Sequence, residues 1–187
     1  MKTLIFNGSP RSHGDTSRMI EALRPMLPGE IKVIKLYKEE IRPCVDCRAC
    51  SKQAGCVIQD SMQDVYKEIE ECDHIILASP IYFEELTGVL LAALSRLQTY
   101  YSARYIRRVE PILKKKTGGI ILTAGSIGPK EKPEGTARML LGAMGCKSLY
   151  TVYVGHTDRV SAMEQKDTME QLKKLAECIS EAEKTRA

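Results

Sequence analysis

The sequence predicts an α/β fold: a doubly wound, five-stranded parallel sheet with helices on both faces. Three observations carry that prediction. Five short apolar runs alternate with stretches of helical periodicity, the order that parallel β-α units produce. Runs such as Ile75-Ile76-Leu77-Ala78 are apolar without alternation, as in strands covered on both faces. The junctions are punctuated by turn formers: Asn7-Gly8-Ser9-Pro10, Pro28-Gly29 and Ser79-Pro80.

Lys2 to Phe6 reads as the first strand. Met19, Ile20, Leu23, Met26 and Leu27 recur at helical spacing until Pro28-Gly29 stops them. Ile31 to Leu36 is a second strand, followed by a cysteine-rich loop over residues 43–57. Met62, Val65, Ile69 and Cys72 place one apolar stripe on a helix opened by Asp60. His74 to Ala78 is a third strand, ending at Ser79-Pro80, and Gly88 to Leu97 is helical. Tyr100 to Lys115 fits neither period. Gly119 to Ala124 and Leu149 to Val154 are the last strands, with a helix starting near Pro133 between them. Met169, Leu172, Ala176 and Ile179 mark the closing helix. No repeat or linker interrupts the 187 residues, so one domain over 1–187 is expected.

Composition narrows the function classes. Apolar content of 43% and charged content of 28% suit a soluble globular chain. A net charge of +4 is too small to imply a nucleic-acid partner. Only Arg104 to Lys116 is locally basic, and such a run is most simply a solvated face. No apolar run reaches the ~18 residues of a membrane span. An odd cysteine total of 7, a hydrophilic start and no apolar leader point to a cytoplasmic protein with reduced thiols.

Four of those cysteines, Cys44, Cys47, Cys50 and Cys56, share thirteen residues in the spacing C-x2-C-x2-C-x5-C. Steps of three let one turning loop present three thiolates to one centre, and Gly55 lets the chain bend back to deliver a fourth. Soft sulfur donors in that number select an iron–sulfur cluster or zinc. The bacterial ferredoxin run opens similarly but has proline after its fourth cysteine, whereas here Pro43 precedes the first. A redox cluster, a structural zinc clasp and unliganded thiols all remain open on spacing alone. Cys72, Cys146 and Cys178 stand singly among apolar residues and read as small core hydrophobes.

Ligands of a doubly wound sheet bind beyond the carboxyl ends of its strands. The loop after strand one, Gly8 to Ser17, is rich in small residues and hydroxyls, with one arginine. Such a loop, at a helix start, suits an anion. It matches neither G-x-x-x-x-G-K-[ST] nor G-x-G-x-x-G, so a monophosphate such as that of FMN is the natural guest. An ordinary turn with Asp15 as a cap is the plainer alternative. After strand three, Pro80-Ile81-Tyr82-Phe83 offers a fixed turn and an aromatic pair. A flat isoalloxazine ring needs such apolar walls. His13, His74 and His156 form no recognisable triad; His74 reads as structural.

Gly8-Ser9-Pro10-Arg11 with Gly14 and Thr16-Ser17, the cysteine loop, Asp60-Ser61-Met62 and Ser79-Pro80-Ile81-Tyr82 occur in the order of the NADPH-dependent FMN reductase superfamily. Within it, the chain most resembles the iron–sulfur flavoproteins, over residues 2 to about 155. The resemblance implies a flavodoxin-like fold, bound FMN and a homodimer or homotetramer with FMN near a subunit interface. It also implies a [4Fe-4S] cluster on Cys44, Cys47, Cys50 and Cys56. Phosphate-loop roles fall on Ser9, Arg11, Thr16 and Ser17. The flavin-ring segment falls on Pro80, Ile81, Tyr82 and Phe83, and a third flavin loop on Ala124, Gly125 and Ser126. Many relatives have asparagine where this chain has Asp15, whose carboxylate would repel a phosphate unless it turns outward or pairs.

The expected activity is FMN-dependent electron transfer from NAD(P)H or a protein donor, with no catalytic acid or base required from the protein. Two other classes fit the same residues: a non-catalytic flavodoxin-like electron carrier, and a zinc-clasped redox-sensing module.

Overall fold

Residues 1–185 are described by the structure, a computed structural model. Five strands run parallel in the order β2-β1-β3-β5-β6. They are β1 (Lys2–Asn7), β2 (Glu30–Lys35), β3 (His74–Tyr82), β5 (Lys116–Thr123) and β6 (Cys146–Val154). A short β4 (Glu85–Leu86) pairs antiparallel with the end of β3. From β1 the chain steps outward to β2, then crosses back to β3 on the other side of β1. Strand order therefore reverses between β1 and β3, and a crevice opens over their carboxyl ends.

Alternate residues of the strands face two helical layers. Leu4, Phe6, Ile75, Leu77, Ile120 and Leu122 pack against α3 (Met62–Glu71), α4 (Gly88–Leu94) and α6 (Glu131–Ala143). Ile5, Ile76, Ala78, Ile121 and Val152 pack against α1 (Asp15–Leu23) and α7 (Thr168–Lys184). Each fully buried Leu, Ile or Phe side chain contributes about 1.5–3 kcal/mol relative to exposure. With both faces covered, the central strands need the unbroken apolar runs seen in the sequence.

The elements depart from the sequence expectation at particular places. β3 does not end at Pro80 but continues to Tyr82, with Pro80 in register with Thr123 of β5. It then turns through Phe83 and Glu84, both left-handed at φ of 53° and 58°, into β4. β5 and β6 each start three residues before their apolar runs, at Lys116 and Cys146, which face each other in register. The Lys116 side chain is buried there, and its Nζ donates to the Lys114 carbonyl at 2.9 Å. α1 stops at Leu23, and a single 3-10 turn, Arg24–Met26, carries the chain through Pro25. The stretch without a period resolves into a short helix, α5 (Gln98–Tyr101), and a π-helical turn, Ser102–Ile106. Widening the helix by one residue per turn shifts the side-chain phase, so no single period describes it. No helix among the described residues is long and apolar enough to cross a membrane.

His74 is fully buried, with Nδ1 2.8 Å from Thr117 Oγ1 and Nε2 3.3 Å from Glu183. Its role is structural. Cys72 and Cys146 lie in the core, and burial pushes the Cys72 thiol up to about 11. Cys178 departs from expectation in being only partly buried.

Candidate functional site

Three loops meet over the crevice. The first joins β1 to α1, and its shape is set by Asn7, Ser9 and Ser17. Asn7 Oδ1 accepts the Ser9 N–H at 2.9 Å, and its Nδ2 donates to Ser17 Oγ at 3.1 Å. Ser17 Oγ in turn donates to the Arg11 carbonyl at 2.8 Å. Ser17 is thus buried and occupied in ordering the loop. Thr16 is also buried, its hydroxyl 2.8 Å from that of Thr123 at the end of β5. α1 opens at Gly14 with no side-chain cap, which leaves its first N–H groups to a ligand or solvent. The Arg11 guanidinium has no hydrogen bond or ion pair among the described residues and stands at the same place.

The second loop is the β3–β4 hairpin, which Thr87 ties to the first. Gly8 donates its N–H to the Ala78 carbonyl at 2.8 Å, while Thr87 Oγ1 donates to the Gly8 carbonyl at 2.9 Å. A Cβ on Gly8 would lie 2.8 Å from that hydroxyl, so the approach depends on glycine. The third loop follows β5. Ala124 accepts the N–H of Thr157 at 3.0 Å, and Gly125 accepts that of Asp158 at 3.2 Å. The segment after β6 therefore joins the site.

Together the loops enclose about 120 Å³ between Ser9, Arg11, Thr16, Pro80, Ile81 and Tyr82, with Gly125, Thr157 and Asp158 on the far wall. Ser17, Ala124, Ser126 and Phe83 do not line this cleft. Phe83 projects wholly into solvent from a left-handed backbone, a costly placement for a bulky residue. His13 is exposed and lies outside the cleft. Pockets that bury a whole ligand run to roughly 300–1,000 Å³. The enclosed part therefore suits a phosphate-sized group rather than a whole cofactor, with Tyr82 on its wall.

The four clustered cysteines line a second cavity, of about 460 Å³, that shares no lining residue with the first. Their loop turns at three left-handed residues, Asp46 (φ 49°), Arg48 (φ 60°) and Gly55 (φ 79°). Cys47 is exposed, while Cys44, Cys50 and Cys56 are partly buried, all as free thiols. Among the described residues, no three His, Cys, Asp or Glu converge tightly enough to hold a single metal ion. The donor set and the shared cavity fit a four-cysteine iron–sulfur cluster.

Residues 1–158 match the family model for NADPH-dependent FMN reductase. The chain belongs to that family. It is similar to an iron–sulfur flavoprotein of Archaeoglobus fulgidus, 30% identical over 78% of this chain and 64% of the relative. An iron–sulfur flavoprotein of Methanosarcina thermophila is 31% identical over 67% of this chain and 64% of its own length. The chain thus spans somewhat less than two thirds of the curated relatives it matches. Among solved structures, an NAD(P)H:quinone oxidoreductase from Methanothermobacter marburgensis superposes with a TM-score of 0.72 at 17% identity, covering 94% of each chain. That likeness establishes the flavodoxin-like architecture of the family for this chain.

Asp15, the departure from the family's asparagine, is engaged rather than free. Its Oδ1 accepts the Ser161 hydroxyl at 2.8 Å and the Ala162 N–H at 2.7 Å, holding the segment after β6 against the start of α1. An amide oxygen can accept the same two bonds. Asp15→Asn is therefore expected to leave FMN affinity within about threefold, equivalent to ~0.6 kcal/mol. A loss of more than tenfold in a fluorescence titration would show that the charge itself orders the loop. Sequence reading missed Asn7, Thr87, Thr157 and Asp158. The signal for the last two was available, because the loop after a final parallel strand leaves the same sheet edge as the others.

Proposed function

We propose that this chain is an NAD(P)H-dependent FMN oxidoreductase that exchanges electrons with a [4Fe-4S] cluster on Cys44, Cys47, Cys50 and Cys56. The observation that carries the flavin half is the pairing of an uncapped helix start with the unpartnered Arg11 guanidinium in one cleft. Both favour a phosphate dianion, one through N–H donors and one through charge. Ser9 and Thr16 line the same wall and can add hydroxyl contacts. Pro80, Ile81 and Tyr82 form the other wall, where an isoalloxazine edge would meet backbone groups and an aromatic side chain. Gly125 lines the far wall, and Ala124 and Ser126 would act only indirectly, through the loop that Thr157 and Asp158 brace. Bound there, FMN would supply hydride acceptance from NAD(P)H and one-electron release, and a cluster on the four cysteines would carry single electrons.

The cluster half is supported by the four-thiol donor set, the shared cavity and the names of the relatives. The chain would act as one flavodoxin-like unit, with the cysteine loop as its added feature. A second copy would close the open side of the cleft, where Phe83 stands fully exposed. The donor would be NAD(P)H or a protein, and the final acceptor a small molecule or a protein.

Arg11→Ala tests the phosphate site. A hydrogen bond to a charged group is worth about 1.5–3 kcal/mol, so FMN binding should weaken at least tenfold in a flavin fluorescence titration. Unchanged affinity would remove Arg11 from the site and with it the placement of the phosphate.

A further inference from the structure

We propose that Arg96 and Asp60 form a charged clamp that closes both stems of the cysteine loop and fixes the charge at the wall of its cavity. The second half of this statement rests on the reading of that cavity as a cluster site. Arg96 lies on the 3-10 turn Ser95–Leu97 and is only 1% exposed. Burying a guanidinium is unfavourable unless a carboxylate and several acceptors surround it. Its Nη1 donates to Asp60 Oδ2 at 2.7 Å and to the Arg42 carbonyl at 2.9 Å, and its Nη2 donates to the Ile58 carbonyl at 3.2 Å. Arg42 and Ile58 each stand two residues outside the loop's terminal cysteines, Cys44 and Cys56. Asp60 binds the stems as well, accepting the N–H of Arg42 at 3.0 Å and that of Met62 at 3.1 Å.

The pair therefore bonds backbone on both sides of the loop at once. Neighbouring residues of the same segment hold the loop's interior. Ser95 Oγ accepts the Cys44 N–H at 2.9 Å, Cys50 Sγ donates to Ser102 Oγ at 3.3 Å, and Arg107 Nε donates to the Cys50 carbonyl at 3.0 Å. These bonds hold the loop in shape from the side of that segment.

Arg96 also lines the cavity, and its buried Nε has no hydrogen-bond partner. A guanidinium keeps its charge at any pH a protein meets, and the Asp60 carboxylate at 2.7 Å offsets the cost of burying it. Burial likewise opposes the Asp60 charge, and Arg96 with the two N–H donors holds that carboxyl below its ordinary range. Arg96 thus brings a cation to the cavity wall, with the Asp60 carboxylate behind it. A fixed cation favours the more negative, reduced state of an electron carrier, and a fixed anion opposes it. Arg96 is in this sense a positioning residue that also tunes.

The test uses the full chain, reconstituted anaerobically with iron and sulfide, as wild type, Arg96→Met, Arg96→Lys and Asp60→Asn. Removing the cation should favour the oxidised cluster at least tenfold, lowering a one-electron potential by 59 mV or more. Asp60→Asn should raise the potential, and Arg96→Lys should leave it near wild type. A purely structural pair would not shift the potential in opposite directions. Unmoved potentials, or shifts of one sign in variants that retain FMN and native circular dichroism, would overturn the tuning role. If Arg96→Met does not fold, Asp60→Asn and Arg96→Lys carry the comparison.

The clamp is judged separately on the metal-free protein. Iodoacetamide should alkylate Cys44 and Cys56 at least tenfold faster in Arg96→Lys than in wild type, because an ammonium cannot span both stem carbonyls and the carboxylate. Equal rates would overturn the clamp. Wild-type protein that takes up zinc, or nothing, would overturn the cluster reading and the tuning role together, leaving the clamp to stand or fall on the alkylation rates.

Discussion

Cys47→Ala is expected to abolish the visible cluster absorbance of anaerobically reconstituted protein while FMN content stays at the wild-type level. The expectation rests on two features of the structure. Cys47 is one of only four thiols on its cavity, so its loss leaves three donors for a centre that needs four. The flavin cleft shares no lining residue with that cavity, so the damage should not reach it. Wild-type protein should carry about four irons and four sulfides per chain, as one four-cysteine cluster requires. Air-handled protein should lose them, because Cys47 is exposed and thiolate reactivity follows exposure. Stoichiometric zinc with no sulfide in anaerobic protein would sink the idea and make the loop a clasp. Loss of FMN together with the absorbance would show that the two sites depend on each other.

The fold was legible wherever one local signal sufficed. The apolar runs of β1, β3 and β5 exist because both faces of those strands are covered, which is what four consecutive aliphatic residues at Ile75 to Ala78 satisfy. The carboxyl-edge rule then placed the phosphate loop and the Pro80 segment on one crevice. What stayed hidden depended on partners distant in sequence or on unusual backbone. The turn at Phe83-Glu84 carries neither glycine nor asparagine, so its left-handed pair gave no turn signal. Arg96 sits in a stretch that reads as an ordinary helix. Only Asp60, 36 residues away, explains why it is buried. Ser17 reads as a ligand hydroxyl, and its bonds to Asn7 and Arg11 add a bracing role that needs three dimensions to see. The same holds for Asp15, whose partners Ser161 and Ala162 lie 146 and 147 residues on.

Gly118→Ala is expected to cost at least about 3 kcal/mol, the range of severe overpacking and backbone strain. A Cβ there would lie 1.8 Å from the Ile75 carbonyl oxygen and 2.7 Å from its carbon, both main-chain atoms of the adjacent strand. Flexible side chains can swing away from an intruding methyl, but a backbone carbonyl at the centre of a parallel sheet cannot move without breaking its ladder. Gly118 stands directly opposite Ile75 in the β3–β5 ladder, and the β5–β6 ladder shifts register just after it, between Gly118 and Gly119. Gly119 contrasts with it, because its nearest obstacle is the Leu175 side chain at 2.4 Å, although the Tyr150 carbonyl oxygen lies close behind at 2.8 Å. Gly119→Ala should therefore destabilise less than Gly118→Ala. Urea unfolding of both variants checks the order. A Gly118→Ala midpoint equal to wild type would mean that β5 and β3 can move apart at this point without loss of stability. Because β5 delivers Thr123 and Gly125 to the flavin cleft, any Gly118→Ala protein that still folds should also bind FMN more weakly.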